Sequence, residues 1–161
     1  MLISEYYGIF KSPLGELVIT GDEEVITGLY LPDHAHYLQA KQLTLNPDSF
    51  ENIFSQLHEY FGKKREYFDL PIALAATDFQ IKVWQALCTI GYGQTKSYQE
   101  IANQIDTPKA YRAVGTANGR NPISIIIPCH RVIGANGKMA GYGGGVAAKE
   151  WLLNHEKSIS I

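Results

Sequence analysis

Cys129 stands between Pro128 and the pair His130-Arg131, at the end of the apolar run Ser124-Ile125-Ile126-Ile127. A thiol attacks as its thiolate, and basic or cationic neighbours favour that form, so this order of residues points to a nucleophile. Taken alone the pair says little, because most free cysteines are small buried apolar side chains. Cys88 has no adjacent basic residue and falls among Trp84, Leu87 and Ile90, which marks it as a core residue. Glu156 sits near the end of a C-terminal helical pattern, where a carboxylate opposes the helix dipole and is ordinarily a surface residue. Turned inward toward His130, it would fix the imidazole tautomer, as in other nucleophile–base–acid arrangements. Tyr98 opens a helix, a place where a core tyrosine and a ligand contact look the same. His34-Ala35-His36 has the spacing of half a metal site but no third ligand, and reads as a surface loop.

Composition bounds these possibilities. The 161 residues are 45% hydrophobic and 19% charged, ordinary for a folded domain or two small packed units. No apolar run approaches the roughly 18 residues of a membrane span, and MLISEYYGIF has no signal-peptide form, so the expected location is the cytoplasm. Two cysteines exclude a disulfide scaffold. The net charge of −2 conceals an asymmetry. Residues 1–78 carry five Lys/Arg against twelve Asp/Glu, a net −7, and residues 79–161 carry nine against four, a net +5. A basic half holding the cysteine suits a module that meets a polyanion.

The elements that must position Cys129 follow from pattern. Tyr6–Phe10, Leu17–Thr20 and Val25–Tyr30 are β-rich runs separated by Ser12-Pro13-Leu14-Gly15 and Gly21-Asp22, predicting a small antiparallel meander. Phe50, Ile53, Phe54, Leu57 and Phe61 recur at helical spacing before Gly62, and Tyr67–Ile72 suggests one more strand. Ala73–Ala76 reads as a linker. Thr77-Asp78-Phe79-Gln80 has the capping-box form and opens a helix expected to run to Gly91. Ser97-Tyr98-Gln99-Glu100 is a second capping box, and Thr107-Pro108 supplies an N-cap and first-turn proline for a third helix reaching about Asn118. These last two helices are a helix-turn-helix candidate. Asn136-Gly137 predicts a hairpin between Arg131–Ile133 and Lys138–Tyr142, a plausible wing. Gly141, Gly143, Gly144 and Gly145 match no phosphate-binding loop, and Ala148, Trp151, Leu152 and His155 trace an apolar face on a terminal helix.

At this point the chain resembles the O6-alkylguanine-DNA alkyltransferases, also called methylated-DNA-protein-cysteine methyltransferases, over essentially its whole length. The resemblance is carried by Phe79-Gln80 with Val83-Trp84, Gly93 through Ser97-Tyr98, Arg112-Ala113-Val114-Gly115, Asn121-Pro122, Ile127-Pro128-Cys129-His130-Arg131-Val132, Gly141-Tyr142, and Lys149 through Leu153. It implies an α+β fold: a ribonuclease-H-like antiparallel sheet with a helix over residues 1–76, then a mainly helical winged helix-turn-helix domain over 77–161. The implied activity is direct DNA repair, moving a methyl or other alkyl group from guanine O6, and also thymine O4, in duplex DNA to Cys129.

By the same resemblance His130 acts on Cys129 through a water, Glu156 orients His130, Asn121 supports the active-site turn, and Tyr98 helps displace the nucleotide and protonates the departing guanine. The Val132 and Cys129 carbonyls and the Gly143 amide would read the base, and Arg112 would fill the vacated place in the duplex. Lys109, Ala110, Tyr111, Ala113 and Gly115 would lie along the minor groove. Tyr111 departs from the small residue common in the family, and Gly143 from a serine. The thioether product cannot be reversed, so each molecule acts once, with no cofactor and no metal, as a monomer until it meets DNA. The alternatives are a non-catalytic lesion sensor, which replaces the cysteine, and a regulatory protein with an additional domain. A cysteine hydrolase would need an oxyanion hole of which the sequence has no sign.

Overall fold

The computed structural model describes residues 4–134 and 145–157, which form two compact units, residues 1–75 and 76–161. In the first, β1 (Tyr6–Ser12) and β2 (Gly15–Gly21) pair antiparallel through a tight turn in which Ser12 and Gly15 face each other. Gly15 adopts a φ of 100°, a conformation only glycine takes without strain. The strand β3 (Ile26–Tyr30) adds to β2, completing the expected meander. A two-residue strand, β4 (Thr44–Leu45), pairs parallel with β1, giving the order β3-β2-β1-β4 and a mixed sheet. Nothing in the sequence marks so short a strand.

Central β2 is buried on both faces. On one, Val18 packs with Tyr7, Ile9 and Tyr30 against Tyr37 and Ala40 of the short helix α1 (Tyr37–Ala40). On the other lies α2 (Glu51–Phe61), whose Phe54 and Phe61 rings stand 6.0 and 6.1 Å from Phe10. Gly8 is required there, since a Cβ would come within 2.8 Å of the Phe50 ring. The strand expected over Tyr67–Ile72 is absent. Only Ile72 bridges to Ile26, Pro71 has no N–H to give, and the Gln56 side chain satisfies both the N–H and the carbonyl of Asp69.

The second unit packs α3 (Asp78–Leu87), α4 (Tyr98–Gln104) and α5 (Tyr111–Gly119) around Val83, Trp84, Leu87, Ile101 and Val114. Trp84 Nε1 donates to the Ala117 carbonyl at 2.9 Å, fixing α3 against α5. Both predicted capping boxes are formed, at Thr77/Gln80 and Ser97/Glu100. Three expectations fail locally. The helix α3 stops at Leu87, because Thr89 takes the Ala86 carbonyl with both its N–H and its hydroxyl, closing the end before Gly91. Cys88 is consequently at the exposed end of the helix and not in the core. Thr107 does not cap; its hydroxyl is buried without a partner, and Pro108–Ala110 form a 3-10 turn leading into α5.

A parallel two-strand ladder joins β5 (Lys96–Ser97) to β6 (Val132–Ile133), and α6 (Val146–Lys157) closes the unit. The second wing strand and Gly143 fall outside the described residues. Because the Ser97 cap starts the helix that carries Tyr98, Ser97→Ala is expected to cost about 1 kcal/mol, read as a lowered midpoint in urea unfolding followed by circular dichroism.

Candidate active site

The segment from Asn121 to Cys129 is a buried turn held by one side chain. Asn121 Nδ2 donates to the Ile127 carbonyl at 2.7 Å while its Oδ1 accepts from Ile123 N–H at 3.0 Å. Ile125 is forced to a φ of 73°, an uncommon conformation for a β-branched residue. Ile123, Ile125 and Ile127 are all buried, and their packing is what holds the strained backbone in place. The turn delivers Cys129 into a 3-10 turn, Cys129–Arg131, with the cysteine 2% exposed.

Around that turn the structure assembles Cys129, His130, Arg131 and Asn121 with Lys149 and Glu156 from α6. His130 Nε2 lies 2.7 Å from Glu156 Oε2, and the fully buried Nδ1 has no hydrogen bond among the described residues. With Nε2–H given to the carboxylate, Nδ1 keeps its lone pair and is the basic position. Glu156 therefore faces inward, as the resemblance implied. Its oxygens also accept from Arg131 Nε at 2.8 Å and Nη2 at 3.1 Å, and Arg131 Nη1 donates to the Ile90 carbonyl at 2.7 Å. Tyr98, half-buried at the start of α4, has Lys149 Nζ 5.9 Å from its ring centroid. The Cys129 carbonyl accepts from both the Val132 N–H and Asn118 Nδ2.

Burial governs the electrostatics. It pushes the Cys129 thiol up to about 11, against smaller opposing effects of the Asn121 hydrogen bond and the Lys149 charge. Adjacent basic residues in the sequence thus do not make a standing thiolate, contrary to expectation; a proton acceptor is needed when the reaction occurs. Burial also lowers His130, although Glu156 pulls it upward. For Glu156 burial alone would raise the carboxyl, yet its hydrogen bond with His130 and the hydrogen bonds and charge of Arg131 hold it well below the usual carboxylate range. Burial lowers Lys149 and raises Tyr98, each also feeling the Cys129 charge.

Sequence reasoning left Lys149, Arg131 and Asn118 without roles. The buried positions of α6 are Lys149, Leu152, Leu153, His155 and Glu156, so of the face expected through Ala148, Trp151, Leu152 and His155 the last two are buried and the first two half-buried, and the inward stripe also takes in Lys149, Leu153 and Glu156. Lys149, Leu152, Leu153 and Glu156 follow the i, i+3, i+4, i+7 spacing of one helix face, a signal hidden because its two ends are charged. Arg112, Lys109, Tyr111 and Ala113 are exposed on and just before α5, and Ala110 is half-buried. Gly115 faces the Tyr98 ring, where an added Cβ would be 3.8 Å from it. No metal-like group of three His, Cys, Asp or Glu side chains occurs among the described residues, and no described helix is long and apolar enough to cross a membrane.

These shifts have a sign. His130 and Glu156 have folded-state pKa values below their unfolded ones, so the stability they confer is present above about pH 6.5 and about pH 4.3 and is lost as pH falls. Cys129 is raised, so its contribution is present below about pH 8.5 and lost as pH rises toward 11. Thermal unfolding across pH is expected to show a maximum between these limits, with Cys129→Ala removing much of the alkaline decline.

Comparison with known proteins agrees with this arrangement. Residues 5–74 match the family model "6-O-methylguanine DNA methyltransferase, ribonuclease-like domain", and residues 78–158 match "6-O-methylguanine DNA methyltransferase, DNA binding domain". The chain is 48% identical over 153 residues to the methylated-DNA–protein-cysteine methyltransferase of Mycobacterium tuberculosis, covering 95% of this chain and 93% of that one. It is 48% identical over 154 residues to the Methanosarcina mazei protein of the same name, covering 95% and 98%. Among solved structures, M. tuberculosis O6-methylguanine methyltransferase superposes with a TM-score of 0.90 at 47% identity, over 97% of this chain and 94% of that one. The M. tuberculosis protein in complex with DNA gives 0.89 at 48%, over 95% and 93%. With both halves matched and a buried Cys-His-Glu cluster at the expected place, the chain belongs to the 6-O-methylguanine-DNA methyltransferase family.

Proposed function

We propose that this protein repairs DNA directly, transferring a methyl or larger alkyl group from O6 of guanine, and from O4 of thymine, in duplex DNA to the Cys129 sulfur. The observation that carries the reading is the buried Cys129 beside a histidine whose tautomer Glu156 sets and whose Nδ1 lone pair is uncommitted. The Cys129 proton passes to Nδ1 by way of a water, the S–C bond forms as C–O6 breaks, and the electron pair of that bond leaves on the purine. Tyr98 gives its phenolic proton to the departing base, and the buried Lys149 cation beside its ring stabilises the resulting phenolate. Expelling a thiolate from an unactivated carbon has no comparable assistance, so the protein acts once.

A stacked base hides the reactive carbon, and extruding it costs a few kcal/mol, least for a poorly paired lesion. The segment 107–120 is suited to that task, with Lys109, Arg112 and Arg120 and no carboxylate. Arg112 is the residue to occupy the gap, with its Cζ 5.8 Å from the Tyr111 ring centroid. Lys109, Ala110, Tyr111, Ala113 and Gly115 lie along the groove, Gly115 on the side of α5 that faces the Tyr98 ring. For base recognition the Val132 carbonyl is the better acceptor partner for the exocyclic amine, since the Cys129 carbonyl already receives two donors. The Gly143 amide would take O6. No cofactor enters the reaction, and the working form is a cytoplasmic monomer that engages DNA.

The deciding experiment mixes the protein with a duplex bearing O6-methylguanine and reads intact mass and peptide fragments. One methyl group per molecule on Cys129 is expected, and an unmodified Cys129 in folded protein would refute the reading. Cys129→Ala should keep lesion binding and lose transfer, which also separates repair from mere sensing. Arg112→Ala should slow transfer from duplex roughly tenfold or more, within the range of lost stacking contacts, and leave transfer from a free O6-alkylguanine base intact. Binding to undamaged DNA should weaken with added salt.

A further inference from the structure

We propose that Arg131 is a positioning residue of the reaction: by occupying both oxygens of Glu156 it leaves His130 a neutral imidazole, with Nδ1 free to accept the Cys129 proton. This rests on the transfer reading above for its consequence, though not for its physical content. Glu156 is 3% exposed and ionised. A buried carboxylate must be balanced by a cation or take up a proton. Two neighbours on the cysteine turn could provide that cation, His130 and Arg131. Were His130 the counter-ion, it would be an imidazolium with both nitrogens protonated, and no base would remain beside Cys129.

The geometry assigns the charge to Arg131. Nε and Nη2 reach opposite oxygens at 2.8 and 3.1 Å, the forked match of guanidinium to carboxylate, while Nη1 is anchored on the Ile90 carbonyl at 2.7 Å. The fork is thereby tied to the segment that follows α3, and its Cζ lies 5.8 Å from the Tyr92 ring centroid. With the carboxylate neutralised, His130 needs only to donate one N–H to it, at 2.7 Å. The other charged or titratable groups act in the same direction or little. Lys149 on α6 is a second buried cation that disfavours imidazolium, as Arg131 does. Cys129 stays a thiol at neutral pH, and Tyr98 on α4 is held as a phenol. Buried charges therefore pair as Arg131 with Glu156, and as Lys149 with whatever negative charge develops on Cys129 or Tyr98.

The test follows the His130 imidazole by NMR through a pH titration of the full chain, in wild type and in Arg131→Met, Arg131→Gln and Arg131→Lys, alongside single-turnover alkyl transfer at each pH. In wild type His130 should titrate below the ordinary histidine range, as its burial dictates. The neutral Met and Gln variants should raise its midpoint by about one unit or more and shift the acid limb of transfer upward equally, an approximately tenfold loss at pH values below the new midpoint. Gln keeps a donor for the Ile90 carbonyl should Met prevent folding. Lys, which restores charge without the fork, should return the midpoint to within about half a unit of wild type. Adding Glu156→Gln to the Met variant should bring His130 back to neutral. An unmoved midpoint in the folded neutral variants, an equal shift in Lys, or a rate loss uniform across pH would overturn the proposal. If Cys129 accepts no alkyl group while the midpoints move as stated, the transfer reading fails and the role of Arg131 stands.

Discussion

One buried carboxylate organises the reactive half of this protein. Glu156 comes from the last turn of α6, and the residues it holds come from the cysteine turn, with Arg131 extending the connection to the segment that follows α3 through the Ile90 carbonyl. A carboxylate at that point works against its own helix dipole and against desolvation. It is tolerated because His130 and Arg131 supply three charge-assisted hydrogen bonds between them. Three chain segments far apart in sequence are thus locked to one another by electrostatics in a site that apolar packing alone would leave free to slide.

The second constraint is steric. Cys129 is presented by a turn that carries an isoleucine in the left-handed region and is braced by Asn121 from within. Such backbone persists only where the surroundings over-determine it, and here three buried isoleucines do so. Burying the thiol keeps it protonated and inert until a proton acceptor and an electrophile are both in position. A low standing reactivity suits a residue that is consumed by a single reaction.

Much of this was legible in the linear chain. Alternating β-rich runs bounded by Ser12–Gly15 and Gly21-Asp22 define the meander, and both capping boxes form where Thr77 and Ser97 place them. These signals act between neighbouring segments, through the side-chain-to-backbone bonds of the caps and the ladders of adjacent strands, and tertiary context had little to override. The weak readings were those in which a side chain took over a backbone group that the pattern assigned to a strand or a longer helix. Gln56 satisfies the backbone at Asp69 and so removes the need for a strand there, and Thr89 closes α3 early and leaves Cys88 at the surface.

By itself the sequence determined the family motif, the division of charge between an acidic and a basic half, and the candidate nucleophile Cys129, because those depend on residue type and order. Only the tertiary structure decided which face of α6 turns inward. Hydrophobic periodicity picks out Leu152 and His155, which are buried, with Ala148 and Trp151, which are half-buried, and misses the inward charges Lys149 and Glu156. A pattern rule assigns charges to solvent, and it misreads a helix whose inward charges are neutralised by partners from other segments. The protonation state of the thiol was likewise beyond the sequence, since it depends on how much water reaches Cys129 and not on which residues stand next to it.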